Sequence, residues 1–155
     1  MHSQGITSTP DYNALLTVLV ECRRYKTVIS LVEQLESQSD ETYAYPNIDT
    51  WKILITCHSY VGQMYLAFSL LFDKIINAGH LPSTSTLNDL FQGLSRKDEM
   101  QKAMLFYKYV ILKGFQLDHI SYRILISGFC DIGDTERAIQ LLREAEQVPR
   151  HVDQG

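Results

Sequence analysis

Residues 84–118 read TSTLNDLFQGLSRKDEMQKAMLFYKYVILKGFQLD. In the first part, Leu87, Leu90, Phe91 and Leu94 fall at i, i+3, i+4 and i+7. In the second, Met100, Ala103, Met104, Tyr107, Val110 and Ile111 keep the same kind of spacing. Each set is the apolar stripe of a short helix. Residues 95–98 are a polar break between the stripes, and Gly114 stands where a C-terminal glycine belongs. The stretch is therefore a helical hairpin, and it recurs on both sides.

The openings of the hairpins align as four stripes. They are Tyr12, Leu15, Leu16, Leu19; Trp51, Leu54, Ile55, His58; Leu87, Leu90, Phe91, Leu94; and Tyr122, Leu125, Ile126, Phe129. The steps from Tyr12 to Trp51 to Leu87 to Tyr122 are 39, 36 and 35 residues. Ala67, Ala103 and Ala138 keep step, as do the pairs Gly79 and Gly114, Gly93 and Gly128, and Asp118 and Asp153. So many independent markers do not align by chance. The units are 9–47, 48–83, 84–118 and 119–153, after a disordered tail over 1–8. The extra length of the first falls in the polar loop SQSDETYAYPN.

The second helices are apolar on more than one face: Phe106, Tyr109 and Leu112 lie off the main stripe of the third hairpin. Such helices must be covered by neighbours, and stacked hairpins cover one another. The expected fold is all-α, a right-handed α-solenoid of eight helices, with Pro46 and Pro82 in the turns between units. Nothing caps the last unit, so the chain reads as the first part of a longer array, cut short.

Composition narrows the function. The chain of 155 residues is 45% apolar and 21% charged, as in ordinary globular domains. No apolar run reaches the roughly 18 residues of a membrane span. A net charge of −4 weighs against a nucleic-acid partner, since phosphate neutralisation needs clustered Lys and Arg. Cys22, Cys57 and Cys130 make an odd set without a C-x-x-C pair, which speaks for a reducing compartment and against a disulfide framework or zinc site. The opening MHSQGITSTPD is neither a secretory signal nor an Arg-rich transit peptide. His58 on its apolar face is expected to be a packed core residue, and Glu33, Glu36, Asp40 and Glu41 a solvated helix end and loop. Motifs of serine hydrolases, phosphate-binding loops, zinc proteases and zinc deaminases are missing, so no enzyme and no cofactor is expected.

A hairpin of this period, opening on an aromatic or Leu and ending in a Gly-x-x-x-Asp type turn, resembles the pentatricopeptide repeat. DYNALLTVLVECRRY, residues 84–118 and ISYRILISGFCDIGDTERAIQLL carry the likeness, which covers residues 9–147. The run is similar to the N-terminal repeats of plant organellar proteins of the fertility-restorer type. The resemblance implies a monomer that binds single-stranded RNA, one base per repeat, in organellar RNA processing, stability or translation. It implies mitochondrial location, with the chloroplast as alternative. It also implies base reading by the fifth and last residues of each unit: Asn13 with Asn47, Lys52 with Ser83, Asn88 with Asp118, and Arg123 with Asp153. Uracil is implied for Asn88/Asp118 and a pyrimidine, cytosine first, for Asn13/Asn47. Lys52/Ser83 and Arg123/Asp153 match no usual pair and are candidates for phosphate contact. Of the second residues that would sandwich a base, Pro10, Asp49, Ser85 and Ile120, only Ile120 is aliphatic. Other readings stand beside these. Asn13 and Asn88 could be plain surface polar residues, Asp118 could simply cap the next helix, and the whole array could be a protein-binding scaffold or an inactive truncated remnant.

Overall fold

The computed structural model describes residues 8–37, 44–96 and 98–148. Eight α-helices, and no strand, occur among the described residues. The chain divides into two compact units, Met1–Pro82 and Ser83–Gly155.

The first unit holds α1 (Thr9–Glu21), α2 (Tyr25–Ser37), α3 (Ile48–Tyr60) and α4 (Met64–Leu70), which runs on into a π-helical segment, Leu71–Ile76. Ser8 caps α1 by accepting the Asp11 N–H, and a proline sits in the first turn. α3 packs beside α1 as well as against α2 and α4. Leu16, Val28, Val32, Leu54 and Cys57 form the buried centre, with Tyr12, Leu19, Trp51 and Leu70 around it. His58 is buried, and its Nδ1 lies 2.7 Å from Gln63 Oε1.

The second unit holds α5 (Thr84–Arg96), α6 (Met100–Lys113), α7 (His119–Asp131) and α8 (Thr135–Gln147). α7 packs beside α5 and against α6 and α8. Phe91 lies on Phe106 with ring centroids 5.1 Å apart, and Leu90, Leu94, Leu125 and Phe129 are fully buried. Gly114 ends α6 in the left-handed conformation, φ 75°, which an L side chain resists. Gly128 serves a different need. A Cβ there would lie 2.5 Å from Met100 Sδ and 3.2 Å from Ser95 Oγ, so glycine lets α7 close onto its neighbours. Tyr107 and Tyr122 meet edge to face at 5.8 Å, and the Tyr107 hydroxyl donates to Glu144 Oε1 at 2.6 Å. Burial first, then its bonds to Glu144 and Tyr122, push the Tyr107 phenol far above its ordinary range, so it remains a donor.

The turn inside each hairpin passes through one left-handed residue: Arg23, Gly62, Asp98 or Gly133. The second helix of each hairpin starts after this turn, and the next first helix starts in the connection that follows it. The cap that starts that helix is where the candidate site forms.

Candidate functional site

Asn47 is the N-cap of α3. Its Oδ1 accepts the Thr50 N–H at 3.1 Å, and the Thr50 hydroxyl accepts the Asn47 N–H at 3.0 Å. This capping box holds the Asn47 side chain in one place. Asn13, one hairpin back on α1, reaches into it. Its Nδ2 donates to Asn47 Oδ1 at 2.9 Å, while the Thr50 hydroxyl donates to Asn13 Oδ1 at 2.8 Å.

The second unit builds the same network from other residues. Asp118 caps α7: its Oδ1 accepts the Ser121 N–H at 3.0 Å, and the Ser121 hydroxyl accepts the Asp118 N–H at 3.0 Å. Asn88 on α5 donates Nδ2 to Asp118 Oδ1 at 3.2 Å and accepts the Ser121 hydroxyl at 2.6 Å. Asp118 therefore both caps its helix and pairs with Asn88.

A hydroxyl has one proton, and in each network the shorter contact from it goes to the asparagine carbonyl. Thr50 and Ser121 are fully buried, and Asn13 and Asn88 are 7% and 9% exposed. Each asparagine is thus held in one amide orientation with one Nδ2–H outside the network. What stands beside that donor differs. In the first unit it is Asn47 Nδ2, a second donor. In the second it is Asp118 Oδ2, an acceptor carrying charge. Burial raises the Asp118 carboxyl, but bonds from the Ser121 N–H, the Asn88 amide and the Ser121 hydroxyl, with His119 nearby, outweigh it and hold the carboxyl below its ordinary range.

The remaining candidates are placed differently. Ser83 Oγ lies 2.9 Å from Thr86 Oγ1 and accepts the Thr86 N–H at 3.2 Å, again a cap with a buried hydroxyl three residues on. Lys52, half-buried on α3, stands in the other compact unit. Arg123 is exposed on α7 and borders a polar groove with Gln92, Ser95, Arg96 and Asp131. Its sequence partner Asp153 lies outside the described residues. Pro10, Asp49, Ser85 and Ile120 are all exposed on their helices' first turns. Thr50 and Ser121, which orient the asparagines, were missed in the sequence. Their signal is the spacing Asn47-x-x-Thr50 and Asp118-x-x-Ser121, a capping box.

Ser121→Ala is expected to cost the second unit about 1–3 kcal/mol, because Asn88 Oδ1 loses its buried donor. Urea denaturation measures this. The Asp118 carboxyl should also rise, read by NMR titration. A carboxyl held low stabilises the fold above its unfolded value, and that stability disappears as pH falls through the folded value. The native chain should therefore weaken below about pH 4, and Ser121→Ala should reduce that acid loss.

Among the described residues no group of three His, Cys, Asp or Glu side chains could hold a metal, and no helix is long and apolar enough to cross a membrane.

The family model described as a PPR repeat matches residues 113–146. A pentatricopeptide repeat-containing protein of Arabidopsis thaliana, At4g01570, is 25% identical, with 86% of this chain and 18% of that protein covered. Another, At2g38420, named as mitochondrial, is 26% identical over 90% of this chain and 30% of its own. Other Arabidopsis relatives are named as mitochondrial or chloroplastic. The chain spans about a fifth of the length of the first curated relatives. The pentatricopeptide repeat protein PPR10 in complex with an 18-nt psaJ RNA element matches with a TM-score of 0.79 at 22% identity, over 95% of this chain and 21% of that one. That likeness shows the fold, an all-α helical-repeat solenoid.

Proposed function

We propose that the chain is a pentatricopeptide repeat protein that binds single-stranded RNA sequence-specifically and without catalysis. One observation carries the reading: the Asn13–Asn47–Thr50 and Asn88–Asp118–Ser121 networks, in separate units, hold equivalent side chains in the same way. A structural cap needs no asparagine from the preceding hairpin. A base reader does need its amide fixed, because a freely rotating amide offers donor and acceptor alike.

The groups outside each network then select the base. A uracil edge presents N3–H between two carbonyls, which suits the Asn88 donor beside the Asp118 acceptor. A cytosine edge presents N3 as an acceptor, which suits the two donors of Asn13 and Asn47. Lys52, Ser83 and Arg123 make poorer base readers, and Lys52 and Arg123 suit phosphate. Asp153 completes the proposed set in the last unit, and Ile120 offers an exposed aliphatic surface for a base to rest on. The net charge of −4 makes the phosphate contribution small, so binding should depend weakly on salt. The organelle is the proposed place of action, the mitochondrion first, supported by the relatives' names; RNA processing, stability or translation is the proposed role.

Fluorescence anisotropy with short labelled RNAs tests this. Pyrimidine strands containing both U and C should bind roughly tenfold more tightly than purine strands, a difference of about 1.4 kcal/mol. Equal binding to purine and pyrimidine strands, or none at high micromolar chain, would reject the proposal.

A further inference from the structure

The repeat allows each position to be followed through all four hairpins, and two rows change burial at opposite ends. Leu15, Leu54, Leu90 and Leu125 are equivalent; the last three are at most 5% exposed, but Leu15 is 51% exposed. Val18 behaves alike: it is 50% exposed, while Cys57, Gly93 and Gly128 are buried. The reverse holds for Val32, Leu71, Tyr107 and Leu142. The first three are at most 3% exposed, and Leu142 is 50% exposed. Ile139 beside it is 45% exposed.

The junction between the first two hairpins shows what these rows do. Leu54 and Cys57 pack into one cluster with Leu16, Val28 and Val32. Leu15 and Val18 stand at the positions of Leu54 and Cys57. Ile126, Ala138 and Leu142 stand at the positions of Leu16, Val28 and Val32. The two halves of that junction are therefore present again, one on α1 and the other on α7–α8.

We propose that a second copy of this chain docks head to tail, its Leu15 and Val18 on α1 seating against Ile126 and Leu142 of the first. The interface continues an internal packing arrangement that the chain already forms with apolar residues at the same positions. It is heterologous, so each docked copy offers a fresh face and association does not stop at two. The monomer expected from the sequence is then the dilute state. The proposal is independent of the RNA reading, since neither asparagine network is part of it.

Sedimentation equilibrium of the 155-residue chain tests it, from about 1 µM to about 1 mM, the range of weak association. Mass should rise with concentration past twice the 17.8 kDa of one chain. Leu15→Glu and Leu142→Glu each place a charge in the contact, at sites half-exposed in the single chain. Each variant alone should remain at single-chain mass with unchanged helical circular dichroism. A one-to-one mixture should rise to two chains and stop, because each variant keeps the face the other lacks. A wild-type chain that stays single at the highest concentration overturns the proposal. So does association unaffected by either change, or a mixture that does not pair.

Discussion

Phe91→Ala is expected to remove about 3–5 kcal/mol from the second unit, the cost of an emptied aromatic site in a core. Phe91 has no exposed surface and lies against Phe106 at 5.1 Å, so its loss leaves a void beside that ring. Native domains hold only about 5–15 kcal/mol in all. A change of this size therefore takes a large share of the stability. The midpoint of urea unfolding followed by circular dichroism measures it. Phe91→Leu keeps most of the volume and should cost far less, about 1.5 kcal/mol or under. A loss below about 1 kcal/mol for the alanine variant, small beside the usual core range, would mean that α5 and α6 do not meet around this ring.

Phe91 was legible because its neighbours Leu87, Leu90 and Leu94 mark a helical stripe, and such a stripe has to be buried. The π-helical turn over Leu71–Ile76 was not legible. Leu71 and Ile75 serve an α-helical stripe equally well, and spacing does not register the extra residue in the hydrogen-bond ring. Thr50 and Ser121 escaped notice for another reason. A hydroxyl three residues after a cap has a complete local explanation. Its second task is bonding to Asn13 or Asn88, 37 and 33 residues earlier, and that contact exists only once consecutive hairpins stack. The same stacking makes capping and pairing by Asp118 compatible, where the sequence left them as alternatives.

Asp118→Asn is expected to turn a preference for uracil at the facing nucleotide into one for cytosine. The change is confined to one group. Asparagine caps a helix about as well as aspartate, and the first unit already runs the same network with asparagine at that position. Ser121 and Asn88 should therefore remain in place. Only the outward atom differs, an Nδ2 donor in place of an Oδ2 acceptor. Against uracil the new donor faces N3–H, and two donors repel. Against cytosine it meets N3 and can form a bond. A good donor–acceptor match at a base edge discriminates by about 1–3 kcal/mol. The uracil-to-cytosine affinity ratio should accordingly fall by tenfold or more, read by anisotropy on strands differing at one nucleotide. Asn47→Asp should move the first unit the opposite way. Proportional weakening on both strands would show that these side chains serve the backbone or the fold and not the base. An unchanged ratio in both variants would remove Asp118 and Asn47 from the reading altogether.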